Sequence, residues 1–501
     1  MTTRASRRAV LRSMAGAAAV GAWPDVARPQ AGSRPLPLHY ATLTDAAALI
    51  ESKQLSPVEL TGAMLARIEA VDGSLHSYVT VMAEAAMDSA RQAEREILAG
   101  GYRGPLHGMP IGVKDLCYSR GVRTMGGTRV LAGFVPEYDA TAVARLKAAG
   151  AVVLGKLTLC EGAMAPYHPD LEVPVNPWDA TRWSGVSSSG SGVATAAGLC
   201  FACIGTDTGG SIRYPSAVNG CVGLKPTYGR VSRHGVLALA ESMDHVGPMA
   251  RSVEDAAILF EAMAGFDGND PTSRREPVAP VRSTLTAGIK GLRIGFDRRY
   301  ASDGVEPGLV QALDVVLTEL TKLGAEIVPV TLPDVTPVAL AWWQLATVEA
   351  AAFHADTFPA RADEYGPGFR QVLAYGSSVS GVTYADAATF RAQFSGRLDG
   401  VLAQVDCLVC PSLSNAARNK LADPFGAGTD ANWASLVIND AHTKPFNFSG
   451  SPTLSVPCGF SADGLPYSVQ FVGQALSEAV LCRVGHAYER ATPWHDLHPP
   501  M

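Results

Sequence analysis

Apolar and polar positions along the chain sort into short apolar runs separated by helix-period segments. Ser56-Pro57-Val58-Glu59 is a capping box with proline at the first helical position, and the apolar spacing behind it predicts a helix to about residue 71. A second helix is predicted over 83–98, stopped by Gly100-Gly101. A short apolar strand then runs into Lys114, a helix fits 141–149 with Gly150 as its stop, and 151–154 reads as a strand. Beyond a serine-rich loop lie a small-residue helical segment, 192–199, and a buried strand, 201–206. A polar stretch with prolines, 265–291, interrupts the pattern, which restarts as strand 292–297, helix 307–323 and strand 325–330. Region 291–400 is predicted to be more helical and to contribute cover to a pocket. Strand 406–410 and helix 475–492 return the chain to the core. This alternation predicts an α/β fold with helices on the faces of a sheet.

Charge narrows the partners. A formal net charge of −6 spread without like-charge blocks gives no electrostatic case for nucleic acid or an anionic membrane. The exception is the N-terminus, where Ser6-Arg7-Arg8-Ala9-Val10-Leu11-Arg12 precedes the apolar run 14–23, the pattern of a twin-arginine export signal. Ten residues make only about 15 Å of helix, half a bilayer core, so no stable membrane anchor is expected. With a junction over 24–40 rich in Pro, Ala and Arg, residues 1–40 are assigned to targeting and 41–501 to the folded enzyme. The expected location is periplasmic or secreted, and cytoplasmic if residues 1–40 are only a basic tail. Nine cysteines include two C-x-x-C pairs, Cys200/Cys203 and Cys407/Cys410. Both lie in apolar runs, where cysteine behaves as a small buried hydrophobe and a metal site is not expected.

Several catalytic patterns are absent. Neither Ser187 nor Ser211 sits in G-x-S-x-G, no lysine has a serine three residues before it, and H-E-x-x-H does not occur. What stands out is 184–213, SGVSSSGSGVATAAGLCFACIGTDTGGSIR, with Lys114 in GMPIGVKD upstream. A serine hydroxyl needs a neighbouring base to become a nucleophile, and the oxyanion it creates needs preorganised N–H donors. Gly209 and Gly210 permit a turn whose successive N–H groups converge beside Ser211. The backbone N–H groups of Thr208, Gly209, Gly210 and Ser211 are therefore the candidate oxyanion hole. Asp207 and Arg213 flank this turn, as its clamp or as an ordinary ion pair. Ser188, Ser189 and Ser191 are expected to shape the loop by bonding within it. As a base, Lys114 must be neutral part of the time, so it is expected to be buried with a lowered pKa.

The segments GPLHGMPIGVKDL, GVSSSGSG, GTDTGGSIR, NGCVGLKPTYGRVSRHG, SMDHVGPMARSVEDA and FNFSGSPTLSVPCGFSADGLPYSVQFVG together resemble the amidase signature family, from about residue 43 to the C-terminus. The resemblance implies one large α/β/α domain with a central mixed sheet flanked by helices, the 265–291 stretch being internal. It implies a Ser-cisSer-Lys triad whose serines lie 24 positions apart, as Ser187 and Ser211 do. Lys114 is then the base, Ser187 the bridging serine on a cis peptide bond, and Ser211 the nucleophile. Val186 and Ser189 depart from the family pattern, standing where glycines are usual. The implied reaction is hydrolysis of a carboxylic amide through an acyl-enzyme, with no cofactor or metal. The substrate is a small-molecule amide, of which aryl amides, peptide amides and carbamates are candidates, and the enzyme is a monomer or homodimer. Ester hydrolysis, service as the amidase subunit of a tRNA-dependent amidotransferase, and an inactive binding protein are the alternatives. Segment 161–182 and region 338–400 are candidate pocket walls, with Trp178, Trp183, Trp342 and Trp343 as possible lining.

Overall fold

The computed structural model describes residues 37–164, 166–427 and 441–501. The proposed export signal lies outside them. Eleven strands form one mixed sheet: β1 (Tyr78–Val81), β2 (Pro110–Lys114), β3 (Val152–Leu157), β4 (Ala202–Asp207), β5 (Val222–Lys225), β6 (His245–Ala250), β7 (Arg293–Phe296), β8 (Glu326–Pro329), β9 (Cys407–Pro411), β10 (Thr453–Phe460) and β11 (Pro466–Val472). Their order across the sheet is β1-β3-β2-β4-β6-β5-β10-β11-β9-β7-β8.

β2 is parallel to both β3 and β4, which requires crossovers. Helices Thr141–Ala148 and Ser189–Ala196 lie in these connections. β4 to β6, β6 to β5, β5 to β10, β10 to β11 and β11 to β9 are antiparallel, while β9-β7-β8 is parallel again. β2 through β6 are buried along their whole lengths, as strands covered on both faces must be.

The N-cap forms: Ser56 Oγ accepts from Val58 N at 3.0 Å and Glu59 N at 3.2 Å, starting helix Pro57–Leu75. The predicted helix over 83–98 is Ala83–Leu98. The first and last helical parts of the described residues close on one core. Asp255, in helix Val253–Met263, accepts from Leu43 N at 2.9 Å, and Glu489 of helix Glu478–Ala491 accepts from Val253 N at 2.8 Å.

The expected helical cover over 291–400 is narrower than the pattern suggested. β7 and β8 are strands of the sheet, helix Pro307–Lys322 packs against β10 and β11, and helices Val338–Phe353, Pro367–Ser378 and Gly381–Leu402 form the cover. All nine cysteines are free and buried. Among the described residues no helix is long and apolar enough to cross a membrane.

Candidate active site

Parallel pairing of β2 with β4 sets their carboxyl ends side by side, where open α/β sheets place ligands. Lys114 is the last residue of β2, and the turn 207–211 leaves the end of β4. Lys114 is fully buried, with Nζ 2.7 Å from Ser187 Oγ and 2.8 Å from Thr206 Oγ1. Burial in place of water disfavours the ammonium and lowers its pKa from 10.5 to about 8, with Cys160, Cys117, Asp207 and Asp244 opposing the shift. The lysine is thus neutral in a useful fraction of molecules near neutral pH. Thr206 is a partner that motif reading missed.

Ser187 is buried, and its peptide bond to Val186 is cis. Ser211 is the one of the three side chains left partly open to solvent, and its hydroxyl has no hydrogen-bond partner among the described residues. Two of the neighbouring serines reach out of the loop where bonds within it were expected. Ser188 Oγ donates to Thr206 O at 3.1 Å and accepts from Thr206 N at 3.2 Å, and Ser191 Oγ donates to Ile204 O at 3.2 Å. Ser188 N also donates to Ser211 O at 3.2 Å. The serine loop is thereby stitched to β4 and to the turn it faces. Ser189 begins helix Ser189–Ala196 and Val186 is half-buried, so neither departure from glycine displaces Ser187 from Lys114.

The turn is held by a buried clamp. Asp207 and Arg213 are both fully buried and pair bidentately, Nε to Oδ2 and Nη2 to Oδ1 each at 3.0 Å. Burial alone would raise the Asp207 pKa, but the Arg213 guanidinium beside it holds the carboxyl well below the usual range. The carboxylate also accepts from Gly210 N at 2.7 Å, Ile212 N at 3.1 Å and Asn447 Nδ2 at 2.8 Å. Arg213 in turn donates to Thr443 O at 2.9 Å, Gln470 Oε1 at 3.3 Å and Asn447 Oδ1. Asp207 and Arg213 therefore hold the turn, the first of the two readings open from sequence.

One candidate oxyanion donor is already engaged. Gly210 N–H points into the Asp207 carboxylate, because that negative charge is the strongest acceptor within its reach. The N–H groups of Thr208, Gly209 and Ser211 remain unbonded within the described residues. Their directions are set from behind, since the C=O and N–H of a trans peptide point opposite ways. Asp207 O accepts from Asn447 Nδ2 at 3.0 Å, Thr208 O from Trp342 Nε1 at 2.8 Å, and Gly210 O from Tyr214 N at 2.7 Å. Gly209 O accepts from Thr443 Oγ1 at 2.6 Å, which aims Gly210 N–H at Asp207. Glycine is required here: a Cβ on Gly209 would lie 2.6 Å from the Trp342 ring, and Gly210 has φ of +137°.

Asp244 braces the turn from another side. It accepts from Thr208 Oγ1 at 2.6 Å, Leu239 N at 2.9 Å and Ala240 N at 3.1 Å. Burial lifts its pKa to about 6, against the Thr208 hydroxyl and Arg233. Leu116, Ala163, the 236–239 segment and Val246 give the cleft beside Thr206 and Thr208 one apolar side, and Arg233, Glu241, Asp244 and His245 give it a polar one. Of the four tryptophans considered, Trp342 touches the turn and Trp183 lies 6.1 Å from the Tyr214 ring. Trp178 Nε1 donates to Asn219 O at 2.9 Å, and Trp343 packs in the cover against Tyr375.

A family model described as Amidase matches residues 59–482. The chain is 47% identical over 459 residues to a Mycobacterium tuberculosis protein named "Putative amidase AmiD", covering 92% of this chain and 96% of the other. It is 40% identical over 492 residues to a glutamyl-tRNA(Gln) amidotransferase subunit of Chloroflexus aurantiacus, covering 93% and 99%. The native peptide amidase from Stenotrophomonas maltophilia superposes with a TM-score of 0.79 at 32% identity, covering 92% and 98%. The chain belongs to the amidase signature family and is an amidohydrolase acting on amide C–N bonds.

Proposed function

We propose that this enzyme hydrolyses small amides through a relay of Lys114, Ser187 and Ser211. The observation that carries the reading is the 2.7 Å contact of buried Lys114 Nζ with Ser187 Oγ, beside the solvent-facing Ser211. Neutral Lys114 takes a proton from Ser187 as Ser187 takes one from Ser211, and Ser211 Oγ attacks the carbonyl carbon. The N–H groups of Thr208, Gly209 and Ser211 receive the oxyanion, each such donor being worth about 3 kcal/mol in the transition state. Ser187 then returns a proton to the leaving amine, and the C–N bond breaks to give the acyl-enzyme. Water, deprotonated by the same relay, releases the acid and restores Ser211.

Likeness to a peptide amidase favours C-terminal peptide amides as substrates, and the apolar side of the cleft, Leu116 and 236–239, suits the ring of an aryl amide. The twin-arginine pattern at 6–12 supports a site of action in the periplasm or outside the cell, away from the tRNA that an amidotransferase serves. Ser211→Ala tests the relay: it should abolish hydrolysis of a panel of p-nitroanilides, peptide amides, carbamates and esters while the thermal melt is unchanged. Near-wild-type turnover by that variant overturns the assignment.

A further inference from the structure

We infer that Trp342 is a positioning residue for the Gly209 oxyanion donor, so that the cover helix carrying it sets the rate of the chemical step as well as the shape of the pocket. This rests on the relay reading above, in which Gly209 N–H receives the oxyanion. Trp342 lies in helix Val338–Phe353 and is buried. Its Nε1–H donates to Thr208 O at 2.8 Å. The Thr208–Gly209 peptide is trans, so holding its oxygen fixes the direction of the Gly209 N–H at the other edge of the same plane. The N–H edge of the indole also lies against Gly209, where a Cβ would come 2.6 Å from Cζ2 and 2.8 Å from Cε2. A polar bond and a ring contact together leave the peptide plane no free rotation.

The remaining anchors of the turn have a different origin. Asn447 and Thr443 come from helix Lys444–Phe448 and its N-cap, Arg213 from the helix that follows the turn, and Asp244 from the loop before β6. Among the described residues, Trp342 is the cover's contribution. Lys444 Nζ lies 5.1 Å from the centroid of the Trp342 ring, and a cation there draws electron density from the indole and strengthens its N–H as a donor.

An interaction that acts on an oxyanion appears in kcat and not in KM. Because the donor is misaimed and not deleted, the expected effect of Trp342→Phe is a fall in kcat of about tenfold, less than the roughly hundredfold or more that removing a donor costs. KM should stay within about twofold. Affinity for a substrate-derived trifluoromethyl ketone, which forms a tetrahedral oxyanion on Ser211, should fall by the same factor as kcat. Affinity for the corresponding unreactive alcohol should not. Should the Phe variant fold poorly, Trp342→benzothienylalanine keeps the ring size and replaces only the N–H by sulfur. It should melt as the wild type does and show the same kinetic signature. Unchanged kcat and ketone affinity in the benzothienyl variant, or a change confined to KM, overturns the inference. Ser211→Ala run alongside separates the two readings. If it remains active the relay falls and this inference with it. If it is dead while the Trp342 variants behave as wild type, this inference alone falls.

Discussion

Replacing Lys114 by methionine should silence the enzyme and, at pH 7, leave it at least as stable as the wild type. Folding lowers the lysine pKa from 10.5 to about 8 by burial, a gap worth roughly 3 kcal/mol against keeping the charged ammonium inside. Below pH 8 the folded and unfolded states both carry the proton and that cost is present in full. Between pH 8 and 10.5 the unfolded chain binds more protons than the folded one, so wild-type stability rises with pH across that window. Methionine removes the cost at pH 7 and forfeits the Nζ contacts to Ser187 and Thr206, worth about 1 kcal/mol each. The net expectation is a gain of about 1 kcal/mol for the variant at pH 7, turning into a deficit near pH 10.5. Denaturant melts of both proteins at pH 7 and pH 10 measure the crossing. In activity, wild-type kcat/KM should climb tenfold per pH unit to about pH 8 and then level, as the neutral amine becomes the major form. A variant at least 3 kcal/mol less stable than wild type at pH 7, or a wild-type profile with no ionisation between pH 7 and 9, refutes the reasoning.

Asp207→Asn should cost about 3–5 kcal/mol of stability by stranding the buried Arg213 charge, read as a lowered calorimetric transition. Because the Asp207 pKa is depressed, its contribution is complete above the ordinary carboxylate range and is lost as pH falls through the folded value. The wild type should therefore lose stability in acid more steeply than the Asn variant. Gly209→Ala should reduce kcat at least tenfold, since its methyl would meet the Trp342 ring at 2.6 Å, and a crystal structure should show the indole displaced. The nine buried thiols should be silent to a chromogenic disulfide reagent in the native protein and should all react in denaturant.

Legibility in the sequence followed the range of the interaction. The helices 57–75 and 83–98 are written in local terms, a cap at Ser56 and a glycine stop at Gly100, and they form close to where those signals place them. Lys114, Ser187 and Ser211 stood out because each sits in a dense local motif. Thr206 and Asp244 did not, since each matters only through what the sheet brings beside it. Thr443 meets Gly209 across 234 positions of chain, and no periodicity encodes such a contact. Strands β10 and β11 were hidden among prolines and glycines, and their pairing with β5 and β9 joins the two ends of the sheet. A glycine turn shows in sequence how many N–H groups it frees, but not which of them its clamp will take, and here the Asp207 carboxylate takes that of Gly210.

The clamp around Arg213 has a consequence for biosynthesis. Every side chain of the proposed relay has left the ribosome once residue 211 has emerged, and β2, β3 and β4 can then pair. The guanidinium at the heart of the turn still waits for Thr443, Asn447 and Gln470, which lie 230, 234 and 257 positions further along the chain. Until they arrive, Arg213 has Asp207 but none of these acceptors, and the peptide planes of the turn lack two of their anchors. A nascent chain should therefore stay catalytically silent until residue 470 has emerged, and a chain cut short before residue 440 should carry Ser211 without the scaffold that would make it a nucleophile.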